Sequence, residues 1–183
     1  MFSIRPGRLA RPLLSAALAA GALTGCSFLS PFTSCEGTAS RVEGLESQGV
    51  LTSRPAAATV PRGFEDGTSG CIDDSGDAWL YAERTYAFPG RRAEVIQYYR
   101  TAAARDGWRL EPQPERPPVP EEIAGLCFTR GGDGEAMLLT VSFMTARELA
   151  FEGYETGPEF ASGSGFRIEA GSEADGARTG CWD

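Results

Sequence analysis

Arg91–Asp106, RRAEVIQYYRTAAARD, is the stretch on which the fold turns. Val95, Tyr98, Tyr99, Ala102 and Ala103 recur at helical spacing, and Gly107 stands where such a helix stops. Upstream, Ala78–Phe88 (AWLYAERTYAF) is rich in aromatics and bounded by Gly76 and Pro89-Gly90, which is the composition of a strand. Downstream, Trp108 and Leu110 alternate with Arg109 and Glu111, giving a short strand over Trp108–Glu111 with the first two residues inward.

Pro112–Pro120 (PQPERPPVP) carries five prolines and cannot join a central sheet. It reads as a stiff connecting loop, with docking of its extended backbone as the alternative. Ile123–Arg130 and Ala136–Phe143 are strands flanking Gly131-Gly132-Asp133-Gly134, a hairpin loop. Met137, Leu139, Val141 and Phe143 form the buried face of the second. Phe166–Ala170 alternates once more and is the expected last strand. Between them Met144–Gly165 sets Glu148, Glu152, Glu155 and Glu159 among Phe151, Tyr154 and Phe160, a helical turn followed by a loop. The expected fold is α+β: a two-layer sandwich with one main helix packed on a mostly antiparallel sheet of about five strands. Such a sheet keeps one face for water or a partner.

Composition closes off several chemistries. All 17 basic residues are Arg and there is no His. Without His there is no Ser-His-Asp or Cys-His nucleophile and no imidazole ligand. Without Lys there is no side-chain Schiff base or phosphate-loop lysine. Carboxylates, Tyr, Ser/Thr and Cys remain, so the kit for an enzyme is thin. Net charge is −8. The first 25 residues hold Arg5, Arg8 and Arg11 and no acid, so the rest of the chain has 14 Arg against 25 acids, or −11. A body of that sign repels nucleic acid and anionic lipid. It serves solubility first, and a cationic partner second.

The N-terminus has the layout of a secretory signal, basic in Met1–Pro12 and apolar in Leu13–Leu23. The apolar run is too short to span a bilayer, which takes about 20 residues. No Arg-Arg pair precedes it. Leu23-Thr24-Gly25-Cys26 resembles the lipobox of bacterial lipoproteins. That resemblance implies cleavage before Cys26 and a diacylglycerol thioether on its sulfur, placing the protein on the extracytoplasmic side of a cell membrane. Two acyl chains at roughly 0.8 kcal/mol per buried methylene hold stably where one chain exchanges. Residues 1–25 are then the signal, 26–60 a Ser/Thr/Gly/Pro-rich tether with at most one short helix near Arg41–Val50, and 61–183 the folded domain.

With Cys26 set aside, Cys35, Cys71, Cys127 and Cys181 remain, an even number that reads as two disulfides in any of three connectivities. No C-x-x-C pair supports a metal site. Tyr98-Tyr99, Gly107-Trp108 and Cys127-Phe128-Thr129-Arg130, following a loop that holds Cys71, resemble small envelope lipoproteins of high-GC Gram-positive bacteria over Pro61–Ala170. The resemblance implies the strand–helix–strand layout and a Cys71–Cys127 bridge, which leaves Cys35–Cys181. It implies no activity, and the acidic Gly171–Asp183 segment has no counterpart in it.

Asp73, Asp74 and Asp77 cluster in CIDDSGD, yet counting from Asp73 puts Ala78 and Arg84 where an EF-hand needs Gly and Glu. A turn made by Asp, Ser and Gly is the simpler reading. Trp79, Tyr81, Tyr99 and Trp108, with Tyr86 and Tyr98, are core residues or the lining of a ligand groove between helix and sheet. Trp182 beside Cys181 is either docked or a contact surface. No G-x-S-x-G surrounds a serine, no glycine loop cradles phosphate, and a carboxylate pair for glycoside cleavage depends on the fold. The expected function is a lipid-anchored, non-enzymatic module binding an envelope protein or cell-wall component, without metal or cofactor. A small-molecule sensor with an aromatic groove and a carboxylate hydrolase of wall polymers are the alternatives.

Overall fold

The computed structural model describes residues 33–74, 76–113, 125–160 and 164–181, with Asp74 described in backbone only. Cys26, most of the proline run and Trp182 lie outside them. In chain order come helices α1 (Ala39–Glu46) and α2 (Gly49–Thr52), strands β1 (Thr68–Asp74) and β2 (Asp77–Phe88), and helix α3 (Arg92–Arg105). Then follow β3 (Arg109–Leu110), β4 (Leu126–Arg130), β5 (Met137–Met144), helix α4 (Ala146–Phe151), a 3-10 turn (Pro158–Phe160) and β6 (Ser164–Glu173). The sheet order is β1-β2-β6-β5-β4-β3, every neighbour antiparallel. The class is therefore α+β with an open antiparallel sheet, as expected, but the described strands number six rather than about five and several helices accompany α3.

Strand register sorts the side chains. Leu80, Ala82, Tyr86 and Phe88 of β2 share one face with Phe166, Ile168 and Ala170 of β6, Leu139, Val141 and Phe143 of β5, and Leu126 and Phe128 of β4. All are buried, and α3 closes over them with Val95, Ile96, Tyr99 and Ala103. Rings meet at the centre, Tyr86 with Phe166 at 5.5 Å and Tyr99 with Phe166 edge-on at 5.7 Å. Each fully buried large side chain of this kind contributes about 1.5–3 kcal/mol. The helix ends as its glycine demands. Gly107 takes φ +82°, its N–H donates to Ala104 O at 3.1 Å, and the Trp108 N–H donates back to Ala103 O at 3.0 Å. That reversal sends Trp108 into the core, 3 % exposed.

The tether expected over 26–60 is corrected in its described part. Leu45, Val50 and Leu51 are at most 2 % exposed and belong to the core. The Tyr86 hydroxyl donates to Leu51 O and the Tyr99 hydroxyl to Ser53 O, each at 2.7 Å. Arg41 donates to the Ser172 hydroxyl and the Glu173 carbonyl at the end of β6 and to the Ala174 carbonyl just past it. Few large apolar residues lie in this stretch, yet Leu45, Val50 and Leu51 are all spent on contact with the core, which a composition average hides.

The implied Cys71–Cys127 pairing is also corrected. The bridges are Cys35–Cys71 and Cys127–Cys181, with Cα separations of 5.7 and 5.8 Å. Cys71 lies on β1 and Cys127 on β4, with β2, β6 and β5 between them. Four strand spacings amount to roughly 19 Å, far beyond the reach of a disulfide at about 7 Å.

Candidate binding face

The groove expected from Trp79, Tyr81, Tyr99 and Trp108 is not assembled. Tyr99 and Trp108 are buried on the α3 side, whereas Trp79 and Tyr81 point from β2 to the opposite face. The space between helix and sheet is filled. Burial raises the Tyr99 hydroxyl well above the ordinary tyrosine range and moves that of Tyr86 in the same direction, so both stay neutral donors to the carbonyls that hold α2. Tyr98, half-buried, shares a 2.6 Å hydrogen bond with Ser53 Oγ. The Arg130 guanidinium stacks 5.1 Å from the centre of the Trp108 ring.

The outer face reads across the sheet as Gly70, Tyr81, Gly171 and Leu138, each the Cα partner of the next. The two glycines matter. A Cβ on Gly171 would stand 2.2 Å from Cζ2 of Trp79, so the indole lies directly on the β6 backbone. A Cβ on Gly70 would come within 3.3 Å of the Tyr81 hydroxyl, so that ring leans the other way, over β1. Trp79 Nε1 donates to Glu169 Oε1 at 3.3 Å, fixing the ring's direction. Both aromatics remain half-exposed. Glu173, the Cα partner of Trp79, and the exposed Asp77 border them. Exposed Ile72 opposes Trp79 on β1. Glu173 is held above the usual carboxyl range by partial burial and by the charges of Asp175 and Asp77. Two anchored rings ringed by carboxylates suit a cation, through the ring faces and through charge.

At the other end of this face, packing and charge close the sheet. Phe64 stacks on Tyr154 at 4.6 Å and near Phe160 at 6.1 Å. Arg167 of β6, with a side chain only 15 % exposed, takes Glu152 at 2.6 Å and Glu83 of β2 at 3.4 Å. Burial pushes the Glu83 carboxyl up against the pull of Arg167, with Glu169 and Glu152 adding to the rise. Burial opposes the Arg167 charge, but Glu152 and Glu83 overcome it and raise its pKa. Glu83 and Glu169 are direct cross-strand partners, the nearest thing to the carboxylate pair sequence left open. The guanidinium that bridges Glu83 to Glu152 ties the α4 segment to the sheet. α4 itself starts on a capping box, Thr145 with Glu148.

A cleft of about 430 Å³ lies between α1 and the start of β1, lined by Glu43, Glu46, Asp66 and Glu83, with Arg84 as its basic residue. It has no aromatic wall. Asp73 and Asp77 of the expected turn belong to the β1–β2 hairpin instead. Asp73 pairs with Ala78 and so faces away from Asp77. Among the described residues no three acids or cysteines group to hold a metal, and no helix is long and apolar enough to cross a membrane.

Comparison with family models, with curated proteins and with solved structures finds no match. The site therefore rests on its own geometry. Sequence reading named Trp79 and Tyr81 but missed Gly70, Gly171, Glu169 and Glu173. The expected last strand, Phe166–Ala170, stops short of β6, which runs from Ser164 to Glu173 and so brings Gly171 and Glu173 onto the outer face.

Proposed function

We propose that the chain is a lipid-anchored extracytoplasmic protein, attached through Cys26, whose α+β domain binds a protein or cell-wall component without catalysis. The ligand presents cationic groups to the Trp79–Tyr81 face. The observation that carries this reading is the pair of half-exposed rings laid over Gly171 and Gly70 and bordered by Glu169, Glu173 and Asp77. The lipobox Leu23-Thr24-Gly25-Cys26 supports the anchor, and the absence of His and Lys supports a binding role.

A direct test titrates the soluble domain with an arginine-rich peptide and follows tryptophan fluorescence. A cation–ring contact is worth about 0.5–2 kcal/mol, so Trp79→Ala should weaken binding roughly two- to thirtyfold. Glu43→Gln, in the cleft by α1, should leave it unchanged. Equal affinity for the Trp79→Ala protein removes the proposed face; a loss confined to Glu43→Gln moves the site to the cleft.

A further inference from the structure

The chain enters the domain at one corner. The Thr33 N–H donates to Gly76 O at 2.9 Å, and its hydroxyl accepts from Ala78 N at 2.8 Å. Two residues on, Cys35 is bonded to Cys71 of β1. The first described residue is thus clamped to the β1–β2 turn, next to Trp79. Only residues 27–32 separate this clamp from Cys26. Seven Cα steps extend at most about 25 Å. Trp79 and Tyr81 lie two and four residues into β2 from its first residue, Asp77, so they are within about 15 Å of the clamp.

We infer that the Trp79–Tyr81 face is confined to a layer within about 40 Å of the bilayer, and that its occupant is a basic extracytoplasmic segment of a membrane-embedded protein. This rests on the Cys26 anchor and the cationic ligand proposed above. The bound on distance holds whichever way the domain pivots, because it follows from chain length alone. Charge narrows the occupant further. The sheet end that carries the clamp also carries the 131–136 loop and the start of the C-terminal segment, joined by the Gly134 N–H donating to Gly176 O. Asp73, Asp77, Asp133, Glu135, Glu173 and Asp175 sit there against Arg41, which holds the Ser172–Ala174 end of β6, Arg130 at the end of β4, and Arg178, itself paired with Asp133. Anionic headgroups are repelled by that end, while a basic protein segment close to the membrane is drawn to it.

The test uses the full lipidated chain in cells, with a photo-cross-linking residue in place of Tyr81. A stiff spacer of twelve prolines between Ser30 and Pro31 lifts the face by up to roughly 37 Å, and a Gly/Ser spacer of equal length lets it fold back. Adducts to a membrane-embedded protein should fall at least about fivefold with the proline spacer and persist with the flexible one. Adducts indifferent to the proline spacer, or adducts to wall polymer, overturn the inference. Fractionation is read in parallel. If Cys26→Ala stays in the membrane, the anchor reading fails. If the anchor holds and the spacer has no effect, only this inference does.

Discussion

Trp79 covers Gly171 so closely that one added methyl carbon would sit 2.2 Å from the indole. Gly171→Ala should lift the ring from the sheet, break its bond to Glu169 and cost about 1–3 kcal/mol as local overpacking. Urea unfolding reads the stability, and the peptide titration reads the accompanying loss of affinity. An unchanged midpoint together with unchanged affinity contradicts the packed arrangement.

Arg167 carries a different kind of weight. It holds Glu83 and Glu152 from a position 15 % exposed, so Arg167→Ala leaves Glu83 charged and buried without its partner. A loss of about 3 kcal/mol is expected, measurable by chemical denaturation.

Glu83 also sets a pH signature. Its folded carboxyl titrates above the ordinary value of 4.5 because of burial, so between that value and the raised one the folded state binds more protons than the unfolded. Stability from this group is present below 4.5 and is lost as pH rises through the folded value. Glu83→Gln stays neutral throughout. Its stability relative to the parent should therefore increase as pH climbs from 4 toward 7, roughly, in thermal unfolding curves. A difference that is flat or declines with pH contradicts the assigned shift.

The two disulfides close 36 and 54 residues of chain. Loop-closure entropy gives each about 4 kcal/mol. Cys35→Ser/Cys71→Ser and Cys127→Ser/Cys181→Ser should each lower stability by that order, and peptide mapping without reductant should recover the same pairs. A Cys71–Cys127 peptide would contradict the strand order itself.

Legibility in the sequence followed burial on a single face. α3, β2 and β5 were readable because Val95, Tyr99, Leu80, Tyr86, Leu139 and Val141 repeat with the period of their element and one side meets the core. β1 was not, because an edge strand paired only with β2 and tied by the Cys35–Cys71 bridge has no apolar alternation to show, and TSGCIDDSGD looks like a turn. α1 overlaps the one short helix expected near Arg41–Val50, but its place in the core and that of α2 stay hidden, because three buried residues, Leu45, Val50 and Leu51, do their packing inside a polar stretch. The binding face was half legible. Its aromatics stand out in the sequence, but which side of the sheet each one faces depends on register, and the glycines beneath them acquire meaning only once β6 is seen beside β2.

The most direct measurement of the central claim compares photo-cross-linkers placed at Tyr81, on the outer sheet face, and at Gln97, on the exposed side of α3, in the anchored protein. Adducts concentrated at position 81 and diminished by Trp79→Ala are the expected result. Adducts formed equally or preferentially from position 97 contradict the assignment of the binding face.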